Sequence, residues 1–600
     1  MLAELVKQGK LPELSKRLPP DPVVVQPLDR LGTYGGQWRL TTQASGYGTG
    51  ATQYQLCGYE NLVRWDPTFK KIIGNVADSW EIGADGKEYT FKLHPGLKWS
   101  DGHPFTADDV VFAVEDVLNN TELTPVPDAY FGGATAEKID DYTVKLSWDN
   151  PKGLVLTYMA TRSGLVFTSN PKHYMTQFHK KYTPDVEALA KSQKFDEWIA
   201  LYQQRGGDFS FGSNPEKPSI YPWLLKTNTK TQVTVERNPY YWKVDPEGSQ
   251  LPYMDGMVWS VVTDPEVSLL KATNGEVDFA FDEPVNKPVL ADGRQEGGYR
   301  FFDAIPALTS QVAVYLNLTH KNPVMREIIN NKDFRIGLSY AINRKDIINA
   351  VMQRQAEPWQ IAPRKESSYY DEQMATQYLD YDVDQANEYL DKAYPRKNAD
   401  GTRLGPDGKP ITFQVDVRSD ITVWVDTMQL VVGNWKDVGI DAKVNSVSAE
   451  LAVTRGEANS HDAAVWQGEG GLDAVILANP YNYLPTNPPY SFFGVPWCTW
   501  YRSGGKDGEE PPKVIRDQLA MYDQLKAEPD VDKQHQLMAQ ILASVRDEFH
   551  GIGIAAPTTS YGIVSTRTQN FPKDNAMSHG TVWVYMDPAP TNPCQYFIEE

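Results

Sequence analysis

Flat aromatic rings, short runs of carboxylates and a guanidinium stand close together in the last third of this sequence. Arg418, Asp420 and Trp424 share one stretch, Trp466, Glu469 and Asp473 a second, and Trp497, Trp500 and Tyr501 a third. An aromatic face packs well on the C–H face of a pyranose, and each ring can bury roughly 150–250 Å². A carboxylate beside such rings can accept two hydrogen bonds from adjacent sugar hydroxyls. The duller alternative for any single tryptophan is core packing, and the chain has 16 of them.

Other chemistries fail on spacing. Gly46-Tyr-Gly48-Thr-Gly50 lacks the Lys-Ser/Thr and the following helix of a phosphate loop. Gly551-Ile-Gly553 superficially resembles a dinucleotide fingerprint but reads as a strand running into Pro557. Asp380, Asp382 and Asp384 begin like a calcium loop, yet Gln385 replaces the turn glycine and Asp391 the closing glutamate, so helix capping is the better account. His173 and His179 are too far apart for one helical metal face. There is no G-x-S-x-G elbow. A glycan hydrolase would need two carboxylates flanking a bond, and no pair stands out from surface acids. No cofactor is expected.

The elements that must position these residues are legible upstream of them. A strand over 411–417, a helix over 423–438, a stop at Gly439 and a strand over 440–447 form a β-α-β unit, expected parallel and right-handed. In open α/β sheets ligands sit beyond the carboxyl ends of strands, which selects the 418–424 loop and the loop after strand 463–467. The stretch from Pro485 to Arg502 reads as a long, Pro-stiffened aromatic loop, either lining a site or covering its own core.

Nearer the N-terminus, Asp85-Gly86 is a hairpin turn signal and Tyr89, Phe91 and Leu93 alternate as a half-buried strand. Thr106 with Asp109 makes a capping box ahead of a helical face of Val110, Val114, Val117 and Leu118. That order of turn, strand, turn and capped helix, with Trp80, Gly96, Trp99, Asp101-Gly102 and Phe112, resembles the signature segment of the family 5 extracellular solute-binding proteins of ABC importers. A second block, Tyr315-Leu-Asn317 through Asp333-Phe334-Arg335 to Ala341-Ile342-Asn343-Arg344, resembles the same family.

The resemblance implies an α/β, two-lobed periplasmic-binding-protein-like fold of type II with an extra strand-rich domain. It divides the chain into an N-terminal helical extension (1–18), a discontinuous first lobe (19–60, 208–305 and 553–600), the strand-rich domain (61–207) and a second lobe (306–552). It implies a binding protein rather than an enzyme, closing by a hinge over an oligosaccharide or a peptide. Its partners would be that solute and a membrane permease, the protein itself being a monomer. In peptide-binding members an acidic residue pairs with the ligand's ammonium group at the place that Glu469 occupies here.

Composition is compatible. The net charge of −20 argues against nucleic acid or an anionic membrane as partner. No stretch approaches the ~18 apolar residues of a bilayer span. The first residues carry neither a cationic region nor an apolar run, so a periplasmic or cell-surface chain would have lost its leader. Cys57, Cys498 and Cys594 lack metal spacing. Two of them could pair, and the sequence leaves open which.

Overall fold

The computed structural model describes every residue except 1, 43–55, 58, 127, 208–213, 282–285, 489, 579–584, 586 and 600. The Gly46–Gly50 segment lies outside the described residues. The chain divides into two units, Met1–Ile305 with Ser560–Glu600, and Pro306–Thr559.

Among the described residues the first unit holds six small sheets, two of them four-stranded. One has four strands in the order Gln37–Thr42, Gly256–Val261, Gln232–Arg237, Trp223–Asn228. Alternation buries Trp38, Trp259 and Trp223, and Trp38 stacks on Phe279 at 5.3 Å between ring centres. A second is antiparallel, built on the Ala77–Ile82 and Glu88–Leu93 hairpin expected around Asp85-Gly86. Thr106 then caps the helix Ala107–Phe112 in a complete capping box with Asp109, continuing as a π-helix over Ala113–Leu118. Of residues 61–207, expected strand-rich, strands are confined to the part between 63 and 147. Helices occupy the rest, because Val186 and Ala190, then Trp198, Leu201 and Tyr202, recur at helical rather than strand spacing.

The second unit is organised on one six-stranded sheet. In chain order its strands are β1 (Leu308–Leu316), β2 (Ala356–Pro358), β3 (Thr412–Arg418), β4 (Asp441–Val447), β5 (Ala463–Glu469) and β6 (Gly551–Pro557), arranged β2-β6-β1-β5-β3-β4. β3 is parallel to β4 and β5, whereas β1 is antiparallel to β5. The expected β-α-β unit forms with helix α1 (Thr422–Asp437) between β3 and β4; Trp424, Thr427, Met428, Val431 and Trp435 give it a buried face. Gly439 ends it with φ of 84°, a conformation only glycine adopts freely. β5 is buried along nearly its whole length, as a strand covered on both faces must be.

Two sequence expectations need correction. The aromatic stretch to Arg502 is not all loop: it ends in helix α3 (Val495–Arg502), because Pro496 is tolerated in a first turn and Val495, Trp497 and Cys498 supply a buried face. A short strand at Val23–Val24 pairs in parallel with Lys243–Val244. Cys57, Cys498 and Cys594 are all buried and free, so none of them pairs. Asp382 caps the helix Val383–Ala393 by accepting from the Gln385 amide, as the rejection of a calcium loop required.

Candidate functional site

Parallel pairing puts the carboxyl ends of β3, β4 and β5, at Arg418, Val447 and Glu469, on one edge of the sheet. The β1–β5 ladder brings Leu308 opposite Glu469 and slips register twice between Leu308 and Ala313. Such bulges next to a strand end re-aim side chains that simple alternation would separate.

At the β3 end, the Trp424 indole is buried and donates from Nε1 to the Gln311 carbonyl at 2.9 Å. Trp466 of β5 meets it edge-on, 5.7 Å between centres, and leans on Tyr490 at 5.1 Å and Phe492 at 5.6 Å. The Arg418 guanidinium lies over both indoles, 5.8 Å from Trp424 and 5.6 Å from Trp466. Asp420 holds it in a two-pronged ion pair, Nε to Oδ1 at 3.1 Å and Nη2 to Oδ2 at 2.6 Å. Four of the residues singled out by sequence therefore form one cluster.

Glu469 ends β5. It is 7% exposed, and its Oε1 accepts from the Gln467 amide at 3.0 Å. Oε2 is buried with no donor in bonding geometry. Burial pushes its pKa up and thus makes this carboxyl easier to protonate than an exposed glutamate, with Gln467 and the neighbouring Tyr481 pulling the other way.

Asp473 opens helix α2 (Asp473–Ala478), and its oxygens are used within the protein. Oδ1 accepts from the Ser367 hydroxyl and, at 3.1 Å, from the Ser368 amide; Oδ2 accepts from the Ser368 hydroxyl. It pins the 367–368 turn. The remaining three residues lie along α3 with partners of their own. Trp497 is buried against Gly494, and Trp500 packs by Gly505. Tyr501 donates to Asp523 at 2.6 Å and accepts from Lys526 at 2.7 Å.

Sequence reasoning passed over Tyr481 and Asn482, which follow α2. Asn482 donates to the Glu469 carbonyl and accepts from the Tyr315 hydroxyl. It also passed over Arg364, whose amide donates to the Gly471 carbonyl at 2.9 Å. Arg364 follows β2, which runs antiparallel to β6, so a rule about carboxyl ends of parallel strands does not reach it.

Comparison with known proteins bears on this arrangement. The family model described as bacterial extracellular solute-binding proteins, family 5 middle, matches residues 71–494. A periplasmic alpha-galactoside-binding protein of Rhizobium meliloti is 25% identical, over 95% of this chain and 83% of its own. Di/tripeptide-binding protein 3 of Pseudomonas aeruginosa is 24% identical over 71% of this chain and 73% of its own. Among solved structures, an oligopeptide-binding protein OppA superposes with a TM-score of 0.83 at 33% identity, covering 100% of this chain and 96% of that one. The periplasmic binding protein MelB of Agrobacterium fabrum, in complex with stachyose, gives a TM-score of 0.72 at 22% identity, covering 100% and 90%. The fold is the α/β, two-lobed type II fold of periplasmic binding proteins.

Proposed function

The chain belongs to the bacterial extracellular solute-binding proteins of family 5, and from that premise we propose that it captures a neutral oligosaccharide, closes its lobes over it, and passes it unchanged to the membrane permease of an ABC importer. The observation that carries the solute class is the indole pair Trp424 and Trp466 at the carboxyl edge, with Glu469 buried nearby and pushed toward its neutral form. Indole faces suit the apolar faces of sugar rings. A carboxyl accepts hydrogen bonds from hydroxyls in either protonation state, whereas pairing with an ammonium group needs the negative charge that burial here disfavours. The alpha-galactoside-binding relative, aligned over most of both chains, supports the same choice.

Capture requires no covalent step. A solute that contacts the closed form better than the open one stabilises closure by that difference. The protein acts as a monomer in this reading. A peptide is the second reading, favoured by the 33% identity to an oligopeptide-binding protein. Calorimetry of the full chain with stachyose and with tri-alanine separates the two. Saturable, stoichiometric heat with stachyose alone is expected; heat with tri-alanine alone would move the protein to the peptide binders. Mass spectrometry of the same mixture after prolonged incubation should return stachyose intact, and cleaved sugar would make the protein a hydrolase.

A further inference from the structure

Among the described residues, the buried arginines of the second unit have, with one exception, a hydrogen-bond partner at every guanidinium nitrogen. Arg335 gives its three nitrogens to the carbonyls of Phe549, Ile329 and Glu548. Arg344 is bonded through all three to Gly553, Ser339 and Leu379. Arg403 is bonded to Val438, Asp391, Tyr394 and Asn387. This is what a guanidinium removed from water requires.

Arg364 departs from the pattern. Its side chain is 4% exposed, yet Nε and Nη1 are buried without a hydrogen-bond partner. Its carboxylate neighbours stand off at 3.9 Å: Glu357 from Nη2 and Glu366 from Nε. Glu366 Oε2 is itself buried and unbonded. The guanidinium lies 5.4 Å from the centre of the Trp359 ring.

Its position ties it to the edge that carries Glu469. Besides the amide bond to Gly471, its Cγ would come within 2.7 Å of any Cβ placed on Gly471. The glycine two residues after Glu469 thus leaves room for the arginine's stem. The turn that follows Arg364 is fixed by the hydrogen bonds that Asp473 accepts from Ser367 and Ser368.

We propose that Arg364 is a specificity-determining residue of the solute site, donating its unused N–H groups to hydroxyl oxygens of an uncharged, polyhydroxylated solute. The inference rests on the oligosaccharide reading and deepens it. Local charge selects against an anion: Arg364 and Lys365 face Glu357 and Glu366, with Lys365 Nζ 3.2 Å from Glu357, so the cluster is already neutral. An arriving carboxylate gains no net attraction there, while a hydroxyl meets donors that lack acceptors.

The test uses the full chain, stachyose and tri-alanine by calorimetry, and the ligand-free melting temperature. R364M should lose stachyose affinity about ten-fold or more, the scale of a hydrogen bond to a charged group, with the ligand-free melting temperature held. R364K, which keeps the charge and is the better-tolerated change, should lose a smaller part. Undiminished stachyose affinity in both variants overturns the inference while leaving the oligosaccharide reading intact. So does a lowered melting temperature with affinity retained, which would make Arg364 a packing residue. A wild-type chain that binds tri-alanine and ignores stachyose overturns the reading, and the inference falls with it.

Discussion

Two buried charges in this protein are handled in opposite ways. In the first unit, Lys243 and Glu60 are 3% and 5% exposed. The Lys243 ammonium bonds both Glu60 oxygens, at 3.1 and 2.8 Å, and the Asn75 carbonyl at 2.8 Å. Glu60 also accepts from the Tyr241 hydroxyl and the Asn75 amide. Nothing in that knot has capacity left. In the second unit, Glu469 is nearly as buried but keeps an oxygen without a donor. Burial is common to the two, and saturation of hydrogen bonds is what separates the Lys243–Glu60 pair from Glu469.

The sharpest way to break this contrast is to cut the saturated pair. Lys243→Met leaves Glu60 buried and uncompensated, which should cost about 3–5 kcal/mol of stability. Thermal and denaturant melts check this, and the protein that remains folded should bind its solute with unchanged affinity. A loss of affinity without a loss of stability would move the knot into the site.

On the other side of the contrast the largest effect expected is on binding. Trp466→Phe keeps an aromatic ring among Trp424, Tyr490 and Phe492 but shortens the face. Affinity for stachyose should fall by about 0.5–1.5 kcal/mol, the worth of an aromatic contact. Titration of the variant beside the wild type measures it. Equal affinity would assign Trp466 to packing.

Glu469→Gln sharpens the comparison through pH. Burial raises the native carboxyl above its ordinary value, so the folded state holds the proton more tightly than the unfolded state does. The stability this contributes is present below the ordinary glutamate range and is lost as pH rises toward the native value. Above that window the wild type carries the full desolvation penalty. The amide variant should be the more stable protein at neutral pH, by about 1 kcal/mol, with the difference shrinking at acid pH. Melting curves across that range test it; a variant less stable at neutral pH would mean that Glu469 is compensated after all.

Much of the scaffold was legible in the sequence. The β3-α1-β4 unit falls within a residue of its expected bounds because periodicity switches from two to 3.6 at Thr422 and Gly439 ends the helix. The cluster of Arg418, Asp420, Trp424 and Trp466 follows from the same unit, since strand ends on a parallel sheet share an edge. What stayed hidden depends on partners distant in the chain. Glu60 and Lys243 are 183 residues apart, and either alone reads as a surface charge. Asp473 looks like a free carboxylate until the 367–368 turn folds onto it. Helix α3 was masked by prolines and aromatics that also suit a loop.

The smallest effect concerns the ion pair that joins the two halves of the candidate cluster. Asp420 is 52% exposed and Arg418 24%, so water already screens most of their attraction. The Arg418 hydrogen bonds hold the Asp420 carboxyl below its ordinary range; the stability it contributes is present above that range and lost as pH falls. For an exposed pair that amounts to about 0.2–1 kcal/mol. Asp420→Asn should therefore barely move the ligand-free melt, and the remaining difference should vanish in 1 M salt, where the screening length falls to about 3 Å. Stachyose affinity is the informative readout, because the indoles hold Arg418 even without its carboxylate. If affinity rises, Asp420 competes with the solute for the guanidinium; if it falls by more than the stability does, Asp420 itself contacts the sugar. A salt-insensitive loss of stability would place the pair with the saturated knot of the first unit, and the distinction drawn between the two regions would fail at this point.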